Sequence, residues 1–232
     1  MFPESWLSLA PDLAGPIAIV AGWLGIVLLL AESVHRFTNL GTEVSRKIVH
    51  IGTGNVILLA WGLRLPAWLG IAASLLFSLL TLISYRYPVL PSVSGVGRKS
   101  WGTFFYAVSI GILIACFWQQ DLYQYAVLGI LIMTWGDGLA ALVGRRFGHH
   151  PYNIWGMGKS WEGSLTMAAI TVSITALLLF YQQGNLWQTW CIALITAGVA
   201  TGLEAFSRFG IDNLTVPLGS ALVCYGLEQL LV

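Results

Sequence analysis

Thr134-Trp135-Gly136-Asp137-Gly138-Leu139-Ala140-Ala141-Leu142-Val143-Gly144-Arg145-Arg146-Phe147-Gly148, followed by a polar stretch to Lys159-Ser160-Trp161-Glu162-Gly163-Ser164, decides how this chain reads. Asp137 interrupts an apolar run from Tyr123 to Val143. A carboxylate at hydrocarbon depth is costly, so it demands a functional or ion-pairing reason. Arg145, Arg146, Lys159 and Glu162 follow within one short loop. Two acids, three cations and a run of glycines suit a metal–phosphate group. Asp137, Ala141 and Arg145 are spaced to share a helix face. Ala140 and Gly144 add a small-residue stripe that admits another backbone or a ligand.

Around this stretch the chain is apolar. Of 232 residues, 57% are hydrophobic and only 9% charged, where soluble domains carry about 25% charged residues. The expected fold is all-α, a polytopic integral membrane helix bundle forming a single domain over 1–232. A bilayer core needs about 20 apolar residues per helix. On that ruler about eight spans emerge, near 13–31, 48–63, 66–84, 103–118, 122–143, 164–182, 186–203 and 214–231. The first lacks the basic start of a secretory signal and reads as a retained span. A net charge of +1 gives no general basic surface, which argues against nucleic acid as a partner. Cys116, Cys191 and Cys224 lie in apolar runs without metal-ligand spacing and read as packing residues.

With eight spans, ten of the eleven basic residues fall in loops on one side, and only Arg64 lies opposite. By the positive-inside rule that side is cytoplasmic and both termini face away from it. The same side carries the other candidate groups. Arg46, Lys47 and His50 lead into the second span, and Arg98 and Lys99 precede the fourth. Glu204 ends the seventh, and Asp212-Asn213 opens the eighth. Ser160 is placed to cap the sixth span, and a helix N-terminus is a ready phosphate site. Glu162 in that first turn would repel phosphate unless a divalent cation lay between. Glu162 and Asp137 together therefore argue for Mg²⁺, which takes one or two carboxylates and completes its shell with phosphate and water. Asp137, Glu162, Asp212 and Glu204 are the candidate catalytic carboxylates. Asp137 or Asp212 is the candidate base. Arg46, Lys47, His50, Arg98, Lys99, Arg145, Arg146, Lys159, Ser160 and Asn213 are the candidate nucleotide-binding groups. The Gly-Lys-Ser at 158–160 lacks the leading glycine of a Walker A loop and lies between membrane helices, so a P-loop is rejected.

Four motifs in order carry a family resemblance: Arg46-Lys47-Ile48-Val49-His50; Gly136-Asp137-Gly138 with Gly144-Arg145-Arg146-Phe147-Gly148; Lys159-Ser160 with Glu162-Gly163-Ser164; and Glu204 followed by Asp212-Asn213-Leu214-Thr215-Val216-Pro217-Leu218. Over roughly 43–225 the chain resembles the phytol, farnesol and dolichol kinases, membrane enzymes that phosphorylate isoprenoid alcohols with CTP. The resemblance implies a lipid-alcohol substrate, phytol foremost, a nucleoside triphosphate donor, and a place in phytol salvage and tocopherol biosynthesis. Lys159-Ser160-Trp161-Glu162-Gly163 also resembles phosphatidate cytidylyltransferases, which make CDP-diacylglycerol from CTP. Their C-terminal His-Gly-Gly and Asp-Arg-x-Asp signature has no counterpart here, so the kinase reading is favoured. A transporter using Asp137 and Glu204 as coupling-ion sites is the reading from another class. The clustering of polar groups at one face and the lack of an inverted repeat count against it.

Overall fold

A computed structural model describes residues 13–38, 42–86 and 101–232. It is a helical membrane bundle, built from α1 (Ala14–Phe37), α2 (Thr42–Gly54), α3 (Val56–Gly62), α4 (Ala67–Arg86), α5 (Gly102–Phe117), α6 (Tyr123–Leu131), α7 (Gly138–Phe147), α8 (Trp161–Gln183), α9 (Trp187–Ala205) and α10 (Asp212–Leu231). A π turn, Ile132–Asp137, joins α6 to α7, and a short 3₁₀ turn, Trp118–Gln120, follows α5. A two-stranded antiparallel hairpin, β1 (Pro151–Ile154) and β2 (Met157–Ser160), lies between α7 and α8.

Six segments among the described residues are long and apolar enough to cross a membrane: Ala14–Phe37, Ala67–Arg86, Gly102–Gln120, Tyr123–Phe147, Trp161–Gln183 and Asp212–Leu231. The stretches expected at 48–63 and 186–203 are helical but fall short of that measure. The first is broken at Asn55 into α2 and α3. The second, α9, carries Gln188, Thr189, Thr196, Thr201 and Glu204, which dilute its apolar content.

The core is centred on α6, whose residues from Tyr125 to Leu131 are all buried. A helix apolar all round belongs at the centre of a bundle. α5, α10 and, through the π turn, α8 pack around it. Gly129 is the close point with α10: a Cβ there would lie 2.4 Å from the Pro217 carbonyl oxygen. Pro217 sits inside α10, one turn and more past its start at Asp212. α1 packs mainly on α2, with the Trp23 indole donating to the Gly52 carbonyl at 2.8 Å. The three cysteines are free.

The described parts of the basic segments gather at one end of the bundle. Arg145 in the last turn of α7 reaches Glu43 at the start of α2. Lys159 in the hairpin reaches Glu204 at the end of α9. The Trp101 amide before α5 donates to the Phe209 carbonyl before α10 at 3.0 Å. Arg64 stands at the other end, beside Trp118 and Tyr123.

The candidate active site

The π turn places Asp137. A π turn holds one residue more than the α turn it replaces, and such turns recur at functional sites. This one faces the point where α2 breaks. The Trp135 indole donates to Asn55 Oδ1 at 3.0 Å. Gly54 leaves room for Thr134, whose Oγ1 would lie 2.0 Å from a Cβ at position 54. Across from Asp137, Lys47 donates from Nζ to Oδ2 at 2.5 Å and lies 3.3 Å from the Asp137 carbonyl oxygen. Only 7% of the Lys47 side chain and 17% of the Asp137 side chain is exposed, so the pair is buried. The His50 Nε2 lies 3.7 Å from the same Oδ2 and 3.4 Å from the Met133 carbonyl oxygen. Burial first, and then the neighbouring Lys47, drive the His50 imidazole down to about 4 against the pull of Asp137. It is neutral at physiological pH, and the Met133 contact selects its Nε2–H tautomer.

A second buried pair joins Lys159 of β2 to Glu204, whose carboxylate and carbonyl oxygens both accept from Nζ. Burial raises the Glu204 carboxyl, Lys159 opposes it, and the charges of Asp137 and Asp212 raise it further. Asp137, Glu204, Asp212, Lys47 and Lys159 thus form one electrostatic neighbourhood. Asp212 accepts from the Ser207 hydroxyl at 2.9 Å through Oδ2, and from the Asn213 amide and side chain at 3.0 Å through Oδ1.

Glu162 is held differently. Its Oε1 accepts from the amides of His149 and His150 at 3.1 and 3.2 Å, and the His150 Nδ1 lies 2.7 Å away. The two carboxylates expected to share a metal therefore hold different partners, Lys47 and His150. Arg145 ion-pairs with Glu43 at 3.6 Å, as does Arg46 through a shorter contact. Arg146 is exposed and has no carboxylate within ion-pair distance among the described residues. Ser160 caps α8, accepting the Gly163 amide at 3.2 Å. Arg98 and Lys99 lie outside the described residues.

The loop before α8 is not the irregular segment its composition suggests. Tyr152 pairs with Lys159 and Ile154 with Met157 across the hairpin. Its two-residue turn, Trp155-Gly156, has φ of 51° and 80°, as a primed hairpin turn requires. Trp155 packs on Phe206, with ring centroids 5.7 Å apart. Gly-Lys-Ser at 158–160 lies within β2 itself, which also excludes a phosphate-cradling turn there. The small-residue stripe is spent on helix packing: a Cβ on Gly163 would lie 3.1 Å from the Ala140 carbonyl oxygen and 3.5 Å from Gly144 Cα.

Sequence reasoning missed Glu43, Asn55, Tyr106, Thr134 and Ser207. Glu43 was legible from its i,i+3 spacing to Arg46. Tyr106 and Thr134 lie inside helical segments, Asn55 at the break between α2 and α3, and Ser207 in the loop after α9, and nothing in their spacing singles them out.

The cluster draws three carboxylates and two lysines from five separate elements: α2, the π turn, β2, α9 and α10. The chain is 49% identical to the phytol kinase of Synechocystis sp., over 90% of this chain and 90% of that protein. It belongs to the phytol kinase family. Identity is 31% to the probable phytol kinase 2, chloroplastic, of Oryza sativa subsp. japonica, over 95% of this chain and 78% of that protein. It is 29% to the phytol kinase 1, chloroplastic, of Arabidopsis thaliana, over 94% of this chain and 77% of that protein. No family model matches the chain, and no solved structure matches it.

Proposed function

We propose that the chain is a lipid kinase that transfers the γ-phosphate of CTP to the hydroxyl of phytol. The observation that carries this reading is the buried Lys47–Asp137 pair at the polar end of the bundle, beside Lys159, Glu204 and Asp212. The relatives' names support phytol as the acceptor. Asp137 lies ten residues before Phe147, the last residue of α7, about 15 Å along a helix axis. That depth suits a group meeting a lipid hydroxyl while the nucleotide enters from the loops.

Phosphoryl transfer is governed by position and charge neutralisation. Lys47, Lys159, Arg145 and Arg146 neutralise the triphosphate, and the N-terminus of α8 adds its own dipole. The alcohol oxygen bonds to the γ-phosphorus, the bond to the bridging oxygen breaks, and CDP leaves. Asp137 Oδ1 and Glu204 Oε2 have no hydrogen-bond partner among the described residues, so they are the carboxylate oxygens open to a metal or to the hydroxyl proton. Mg²⁺ needs only one or two such oxygens beside phosphate and water, and these residues fit it. Glu162, held by His150 in this structure, is the second carboxylate this reading would assign to the metal. Magnesium would supply charge compensation on the phosphates; the chain's own groups orient the alcohol and take its proton.

The test is incubation with CTP labelled at the γ position in one reaction and the α position in another, with phytol, other lipid alcohols and phosphatidate. γ-Label in phytyl phosphate supports the kinase. α-Label in a phosphatidate product overturns it in favour of a cytidylyltransferase. Asp137→Asn is expected to insert normally and lose activity; full activity in that variant overturns the assignment of Asp137.

A further inference from the structure

The π turn that carries Asp137 is fastened by side chains from two other helices. Thr134, its third residue, donates from Oγ1 to the Ile130 carbonyl at 2.6 Å. The Tyr106 hydroxyl of α5 lies 2.8 Å from that same Oγ1 and 3.4 Å from the His50 carbonyl oxygen. The Tyr106 and His50 rings are in contact, with centroids 4.4 Å apart. His50 in turn reaches the Met133 carbonyl and the Asp137 carboxylate. A turn with misaligned backbone bonds persists when its surroundings hold it. Here the holding groups are chemically specific: two hydroxyls and an imidazole, converging where Gly54 leaves no space for a side chain.

We propose that Tyr106 and His50 are positioning residues for phosphoryl transfer, fixing the Asp137 carboxylate by clamping the π turn through Thr134 and Met133. This rests on the catalytic reading of Asp137. It gives His50 a role distinct from phosphate contact and brings Tyr106 and Thr134 into the machinery. Tyr106 touches no reacting atom in this arrangement. It acts through Thr134, and its hydroxyl is the part that matters. Simple core packing by the ring would be preserved in Tyr106→Phe.

The experiment measures kcat and the KM for CTP with phytol as acceptor, together with the melting temperature in detergent, for Tyr106→Phe, Thr134→Ser, Thr134→Val and the Tyr106→Phe/Thr134→Val double variant. Loss of one such hydrogen bond is expected to lower kcat about five- to tenfold in Tyr106→Phe. Its CTP KM and melting temperature should be unchanged. Thr134→Ser keeps the hydroxyl and should keep the wild-type kcat. The double variant should be no slower than Thr134→Val, because both changes remove one shared contact. Wild-type kcat in Tyr106→Phe, a kcat that falls only together with the melting temperature, or multiplicative losses in the double variant would each overturn the proposal. Asp137→Asn separates the two levels. If it is inactive while Tyr106→Phe matches wild type, the positioning role alone falls. If Asp137→Asn is fully active, the catalytic reading falls first.

Discussion

Two lysine–carboxylate pairs lie at the polar end of the bundle, and their supports differ. Lys47 sits on α2, which packs mainly on α1, and Asp137 on the π turn beside the core; the pair is held between helices and largely shielded from solvent. Lys159 stands on a two-stranded hairpin and reaches Glu204 at the last turn of α9. The first pair is walled in by helices; the second joins a small sheet to a helix end. The difference teaches which pair is structural ballast as well as chemistry. Removing one partner of a pair held between helices strands a charge that has nowhere to go, whereas a two-stranded hairpin can shift to accommodate the acid left behind.

The largest expected effect is therefore on Lys47. Lys47→Met should destabilise the protein by about 3–5 kcal/mol, because it leaves Asp137 buried and unpaired. Thermal unfolding in detergent measures this. Adding Asp137→Leu should restore most of the melting temperature while activity stays absent. If Lys47→Met alone melts like wild type, the contrast between the pairs is lost. Lys159→Met comes next, with a smaller loss of about 1–3 kcal/mol and a clear fall in phosphoryl transfer. Equal melting losses for the two lysine variants would break the comparison from the other side.

Gly163→Val sharpens it by acting on the connection between the regions. A side chain there meets Ala140 and Gly144, so α7 and α8 must part. Overpacking of this kind costs about 1–3 kcal/mol, and the hairpin should become more open to proteolysis. A pH titration gives a smaller effect. The His50 pKa is lowered to about 4 from 6.5, so folding favours the neutral ring. Its contribution is complete above pH 6.5 and is lost as pH falls from there toward 4. Melting temperatures across that window should decline less steeply in His50→Gln than in wild type. The smallest effect belongs to His150→Gln at the exposed Glu162 contact, where the melting temperature should not change measurably.

The charge pattern made much of this legible before any coordinates. An acid inside an apolar run, and cations sorted to one side, marked both the membrane class and the end of the bundle where the groups gather. Ser160 was recognisable as a cap because its place before an apolar run is a local signal. Partner choice was not legible. Glu162 and Asp137 look equivalent as acids in sequence, yet three backbone and side-chain groups of His149 and His150 claim one, while a lysine ninety residues away claims the other. The hairpin was hidden because Pro151–Ser160 has no alternating apolar pattern. Its register comes from a tight turn at Trp155-Gly156 and from packing on Phe206. The small-residue stripe was correctly a place of close approach, with Gly163 as the occupant.

The widened turn at Ile132–Asp137 has a further consequence. One surplus residue rotates everything after it by about 100° relative to a continuous α-helix. A single inserted codon in an ordinary spanning helix would thus be enough to swing an acid from one neighbour to another without disturbing the helix on either side. The chemistry at this end of the bundle has the hallmark of a phase shift in an otherwise conventional membrane rod.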